Sequence, residues 1–234
     1  VAKEGFDIPR TESLVLNNNS LEKVLYSGPM MDFYEYFLGG EVRHYDYTWL
    51  RTKSSEAKST TQPHCDVVYM GRGTQNLYTS WTPLQDIPLK QGGLICLENS
   101  HKHEELQSTY GQLDVDKYCS NNEESQFVKS GMKVDEYQLW KNFNPIRVKE
   151  GSYSDDPIAV GQEIGGRWLS ANYQAGDVLV FHINLMHAAL DNETHLIRIS
   201  SDSRYQLACE NIDERWVGDT PVGHGPESKI GMIC

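Results

Sequence analysis

Apolar residues change period twice along this chain. In SLEKVLYSG, residues 20–28, Leu21, Val24 and Leu25 fall on one helical stripe, and in DFYEYFLGG, residues 32–40, Phe33, Tyr36 and Phe37 do the same. Asp32 is the expected N-cap of the second helix and Gly39 its expected C-cap. From Glu41 onwards aromatic and β-branched residues gather in EVRHYDYTWLRT, DVVYM, NLYTSWTPL and GGLICLEN, parted by Gly, Pro and Ser, which predicts strands. Residues from about 103 to 167 are polar, charge-mixed and without a sustained period, as expected of a lid-like insertion. Strand patterns return in GGRWLSANYQ, AGDVLVFHINLMHAAL and HLIRISSDSRYQL. This order predicts a mainly β single domain over 1–234, a barrel or sandwich with the N-terminal helices flanking one face.

Composition removes several classes of function. At 234 residues, 38% of them hydrophobic, the chain can bury a substantial core. Its net charge of −12, with no run of Lys and Arg, argues against nucleic acid. No stretch approaches the roughly 18 to 20 apolar residues that cross a bilayer, and the opening VAKEGFDIPR lacks the apolar centre of a signal peptide. The expectation is a protein that binds no membrane; because Val1 rather than Met stands first, a targeting segment ahead of it remains open. The 5 cysteines are odd in number and show no C-x-x-C spacing, which favours a reducing, cytoplasmic setting over a disulfide framework.

The chemistry concentrates in TQPHCDVVY, residues 61–69, where His64 and Asp66 stand two apart at the start of an apolar run. With 8 His in the chain and its many Asp, chance alone supplies about half a His-x-Asp pair. HYD at 44–46 is a second copy and HEE at 103–105 a carboxylate cousin, so context must choose. On a strand His64 and Asp66 would project together, giving two thirds of the 2-His-1-carboxylate set that holds non-heme Fe(II). The third ligand then comes from His182, His187 or His195. Between Gly176 and Ile197 there is no Lys or Arg, so Arg198 is the first cation after all three. Ser200 shares its strand face, and guanidinium and hydroxyl together suit a carboxylate.

These blocks resemble the phytanoyl-CoA dioxygenase-like (PhyH) branch of the Fe(II)/2-oxoglutarate oxygenases. The resemblance runs from about Trp49 to Gln206 through QPHCD, then WTPLQDIPLKQGGLICLENSHK from Trp81, then GDVLVFHINLMHAALDN, then RISSDSRYQ from Arg198. It implies a double-stranded β-helix (jelly-roll, cupin-like) core over about 40–210. It places Fe(II) on His64, Asp66 and His187, and the 2-oxoglutarate salt bridge on Arg198. The reaction it implies is hydroxylation of a small-molecule substrate by O2, with 2-oxoglutarate converted to succinate and CO2. The chain departs from the family at Glu98-Asn99, where relatives carry Pro-Gly; Asn tolerates the left-handed turn nearly as Gly does.

Other residues have blander readings. Trp81 is core or a co-substrate contact, and Asp177 shapes the Gly176-Asp177 turn. His44 and Asp46 read as structural, His103 and Glu105 as solvated, and His182 as packed on the strand face opposite His187. Arg204, Arg51 and Lys53 are possible contacts to co-substrate or substrate, and Cys65 a small hydrophobe. Two rival functions use the same barrel: a cupin-like metal enzyme without 2-oxoglutarate, which would not need Arg198, and a catalytically silent binding protein. The sequence leaves the oligomeric state and the substrate undefined.

Overall fold

A strand of 10 residues near the end of the described chain organises the molecule. The computed structural model describes residues 12–15, 18–55, 61–116 and 151–223. Helices α1 (Glu12–Val15), α2 (Asn19–Leu25) and α3 (Pro29–Leu38) precede strands β1 (Val42–His44) and β2 (Trp49–Lys53). Then come α4 (Val67–Met70), β3 (Tyr78–Pro83), β4 (Leu94–Leu97), α5 (Glu104–Ser108) and α6 (Pro157–Ile164). Strands β5 (Trp168–Leu169), β6 (Leu179–His182), β7 (His187–Ala189) and β8 (Arg198–Leu207) complete the order. All pairings are antiparallel: β8 carries β2 and β1 along one edge and β3 on the other, with β6 beyond β3, while β5, β4 and β7 form a second, 3-stranded sheet.

Because side chains alternate along a strand, register decides what the larger sheet turns toward the smaller one. Lys53 faces Arg198, Arg51 faces Ser200 and Trp49 faces Asp202 across β2 and β8; Thr79 faces Arg204 and Trp81 faces Asp202 across β3 and β8. This inner face carries an unusual density of charge. Between the sheets, Trp81, Ile87, Leu94, Tyr173 and Phe181 form a small apolar core.

The outer face of the larger sheet is covered by the N-terminal helices, with a correction to the predicted stripe on α3. Phe33, Tyr36 and Phe37 are exposed and Tyr34 is the buried aromatic. Aromatics ring this helix, so period alone cannot select a face. Tyr34 is selected because its hydroxyl finds Ser80 Oγ at 2.7 Å and its ring stacks on Tyr205 with centroids 4.0 Å apart. The N-cap is Gly28, with Pro29 opening the helix and Asp32 in its first turn; Gly39 closes it in the left-handed conformation, as expected. On α2, Leu21 and Leu25 are buried but Val24 faces solvent.

DVVYM is not a strand. Val67–Met70 is one helical turn, because the Val67 N–H bonds Ile183 O and the Met70 N–H bonds Asp66 O. The described ends of the 103–167 segment belong to the main core: Leu106, Tyr110, Leu113, Tyr153 and Val160 are all buried in it. Residues 117–150, where the lid-like character was expected, lie outside the described residues.

Beneath this core Arg215, itself 7% exposed in its side chain, gathers two buried carboxylates. It bonds Asp116 and Asp213 and also donates to Tyr69 O at 2.8 Å. Arg215→Met should therefore lower stability by about 3 kcal/mol, since breaking a buried pair leaves uncompensated charge behind. Thermal unfolding of the variant checks it. A melting temperature equal to that of the unmodified protein would show that water or a rearrangement replaces the guanidinium.

Candidate metal centre

His64 and His187 are brought together by backbone pairing. The two residues form an isolated antiparallel bridge, His64 N–H to His187 O at 3.0 Å and His187 N–H to His64 O at 2.9 Å, which attaches the 61–64 segment to β7. Asp66 follows in helical conformation at the head of α4. The expected reason for convergence, two residues on one face of one strand, does not apply. A bridge followed by a helical turn achieves the same result.

The imidazoles are held in one tautomer. His64 Nδ1 lies 2.7 Å from Gln62 O and His187 Nδ1 lies 3.0 Å from Leu185 O, so each Nδ1–H donates to a carbonyl and each Nε2 lone pair is free to face the centre. Asp66 Oδ1 lies 3.7 Å from His64 Nε2 and 3.8 Å from His187 Nε2. These separations exceed a hydrogen bond. One donor atom from each residue lies within 4.8 Å of the other two, the one such group among the described residues. Two imidazoles with their Nε2 atoms turned inward and a carboxylate, close together yet not bonded to one another, fit a divalent cation between them.

Electrostatics support that fit. Burial, together with the neighbouring His187 ring, holds His64 down at about 3, so it is neutral and able to ligate at ordinary pH. Burial by itself would raise the Asp66 carboxyl. The Arg204 guanidinium, then His187 and His64, outweigh it and keep Asp66 ionised well below the usual carboxylate range. Asp66 Oδ2 accepts from Thr79 Oγ1 at 2.6 Å and from Arg204 at 2.9 Å.

The same cavity holds a second feature. Arg198 is 4% exposed, donates to Ser200 Oγ at 2.8 Å, and leaves its Nε without a hydrogen-bond partner. Burial lowers it to about 10. No carboxylate lies within salt-bridge distance of it among the described residues, and its guanidinium carbon is 6.0 Å from the Trp81 ring centroid. A buried guanidinium without a carboxylate is costly unless an anion completes it. Arg51 also lines the cavity, tied through Nε to Asp202 at 2.9 Å. Lys53, buried opposite Arg198, donates to Leu190 O and is lowered to about 8 by burial and by Arg198.

Of the other sequence candidates, His182 stands away from the donor cluster: its Nδ1 accepts from the Asn184 N–H at 3.2 Å, and its ring meets Tyr78 edge-on. The strand thought to join it to His187 is broken between β6 and β7. His195 is exposed. His44 stacks on Tyr26, and Asp46 accepts from the Gly218 N–H. His103 caps α5 through its ring. Asp177 accepts from the Gln174 N–H at 2.7 Å, closing its turn. Asn99 has φ 61, the left-handed turn expected there. Sequence reasoning missed Thr79, Asp202 and Phe181; the last packs on His187 with centroids 4.6 Å apart. Their alternation with Trp81 and Arg204 on the sheet was the available signal.

A family model for phytanoyl-CoA dioxygenase (PhyH) matches residues 10–200. Among solved structures the chain is similar to the non-heme alpha ketoglutarate dependent epimerase SnoN from nogalamycin biosynthesis, with TM-score 0.55 and 16% identity over 88% of this chain and 67% of that one. SnoN has also been crystallised with Fe3+, alpha ketoglutarate and nogalamycin RO. The carbocyclase SnoK from the same pathway gives TM-score 0.54 and 14% identity over 83% of this chain and 61% of that one. EctD from S. alaskensis gives TM-score 0.54 and 14% identity over 88% of this chain and 59% of that one, and has been crystallised with 2-oxoglutarate and 5-hydroxyectoine. The chain thus spans between 59% and 67% of these proteins. At such identities the likeness is one of fold. No curated protein sequence matches.

Proposed function

The chain belongs to the phytanoyl-CoA dioxygenase family, and from that premise we propose that it is a non-heme Fe(II)- and 2-oxoglutarate-dependent dioxygenase that hydroxylates a small-molecule substrate. The observation that carries the reading is one cavity lined both by the His64, Asp66 and His187 donors and by a buried Arg198 with no carboxylate partner among the described residues. We take the two antiparallel sheets as a double-stranded β-helix, a jelly-roll of cupin type, in a single domain flanked by the N-terminal helices.

His64, Asp66 and His187 would hold the iron, three ligands of the set that leaves coordination positions for other partners. Arg198 and the Ser200 hydroxyl would bind the distal carboxylate of 2-oxoglutarate and so orient it in the cavity. Trp81, Phe181, Leu94 and Ala189 wall the cavity and keep water from it. Bound Fe(II) would supply the oxidation, in which one atom of O2 would go to succinate as 2-oxoglutarate is decarboxylated and the other to the substrate. The protein's own work is to orient both partners. A metal enzyme of the same fold that ignores 2-oxoglutarate would have no use for an anion-seeking Arg198.

Succinate formation is the direct test. The Fe(II)-loaded protein in air should convert 2-oxoglutarate to succinate slowly by itself and faster with a true substrate from a panel of small molecules. Product mass raised by one oxygen atom supports hydroxylation. No succinate under any condition, and no calorimetric signal for 2-oxoglutarate, would overturn the assignment.

A further inference from the structure

We infer that Arg204, together with Thr79, is a positioning residue that decides which oxygen of Asp66 meets the metal, presenting Oδ1 and withholding Oδ2. The inference rests on taking His64, Asp66 and His187 as the ligands. Its observation is the unequal treatment of the two carboxylate oxygens. Oδ2 receives two donors, Thr79 Oγ1 at 2.6 Å and Arg204 at 2.9 Å, which fill the two acceptor sites such an oxygen offers. Oδ1 receives none among the described residues and is the oxygen close to both imidazole Nε2 atoms.

Arg204 is placed for this contact and for little else. It is 2% exposed, and the bond to Asp66 is its side chain's one hydrogen bond among the described residues; Nε and NH1 are buried without a hydrogen-bond partner. Leaving guanidinium donors unused in the interior is costly, so the side chain is where it is because surrounding groups hold it there. Trp49 lies under its plane, 4.3 Å from guanidinium carbon to ring centroid. Asp202 sits 3.9 Å from NH1, and Arg51 in turn holds Asp202. Thr79 and Arg204 are direct partners across β3 and β8, so the sheet register itself sets the spacing of the two donors.

The consequence is a carboxylate that coordinates through a single oxygen and cannot swing to chelate. If both oxygens bound, one fewer coordination position would remain for co-substrate and O2. Removing the clamp should therefore change the inner coordination shell, which a merely structural contact would leave alone.

The experiment uses the intact protein with Mn(II) in place of Fe(II), so that no turnover is needed. Water-proton relaxation counts the metal-bound waters, and a chromophoric chelator reports affinity. In Arg204→Met, Asp66 should chelate and the metal should lose one bound water. Arg204→Lys, which keeps a donor within reach, should restore the count of the unmodified protein. Thr79→Val, a milder lesion, should lower the bound-water count in the same direction and stands in should Arg204→Met fail to fold. An unchanged water count in folded Arg204→Met, or in Thr79→Val if that is the only folded variant, overturns the inference, as does chelation by Asp66 in a crystal structure of the unmodified Mn(II) protein. If the unmodified protein binds no Mn(II) one-to-one, or Asp66→Ala leaves binding unaltered, the ligand reading itself has failed.

Discussion

His187→Ala should strip the centre of its metal, while His182→Ala leaves metal binding intact. The first change removes one of the two imidazole Nε2 donors that face Asp66 Oδ1. Loss of a group that only orients a ligand costs about 10–100-fold in metal affinity, so loss of the ligand itself should exceed about 100-fold. His182 is the appropriate control because it lies close in sequence, on β6, yet engages the Asn184 N–H and Tyr78 instead of the cluster. Equilibrium dialysis against Fe(II) under argon, with metal quantified per chain, reads both variants. Melting curves accompany them, since His187 is 4% exposed and packs on Phe181. A full complement of metal in His187→Ala, or an empty centre in His182→Ala, would refute the choice of third ligand.

How much of this was legible before the fold depends on which forces act locally. The strands β1 to β8 announce themselves, because β-branched and aromatic runs bounded by Gly, Pro and Ser follow a period the chain can express by itself. The face of α3 does not, because Tyr34 and its neighbours are equally apolar and only Ser80 and Tyr205, far along the chain, discriminate between them. Val67–Met70 is a tertiary override: β-branched residues favour a strand, but the Ile183 carbonyl captures the Val67 N–H and starts a turn. The ends of the 103–167 segment looked polar because their apolar residues are sparse, yet Leu106, Tyr110 and Tyr153 are each well buried.

The site divides along the same line. Arg198 and Ser200 could be paired from sequence because both sit on one strand, where two-residue spacing fixes a shared face. His64 and Asp66 do converge in the structure, but through a bridge and a helical turn that periodicity cannot reveal and not through a shared strand face. The contact of Thr79 and Arg204 with the Asp66 carboxylate was out of reach, although Arg204 is a candidate by sequence. Their meeting at Asp66 requires the β3 to β8 register, and no local pattern encodes a register between segments more than 100 residues apart.

Arg198 carries the second large expected effect. Arg198→Met should weaken 2-oxoglutarate binding to the metal-loaded protein by about 4 kcal/mol, roughly a thousandfold, because the distal carboxylate would enter a water-poor cavity without its planar partner. Metal affinity should stay within a few-fold, as Arg198 touches none of the donor atoms. Arg198→Lys should recover only part of the loss, since an ammonium keeps the charge and forfeits the two-pronged geometry. Lys53 should add a further, pH-dependent share. Facing Arg198 across β2 and β8, it is pushed down to about 8 by burial and by Arg198, so raising pH through that value removes its charge and should raise the 2-oxoglutarate Kd. Lys53→Met should abolish that dependence while leaving the larger share due to Arg198. Calorimetric titration of 2-oxoglutarate into the Mn(II) protein separates the two contributions. Affinity unchanged in Arg198→Met, with loss appearing instead in Arg51→Met or Lys53→Met, would move the anion site along the inner face of β2 and take the co-substrate away from Arg198.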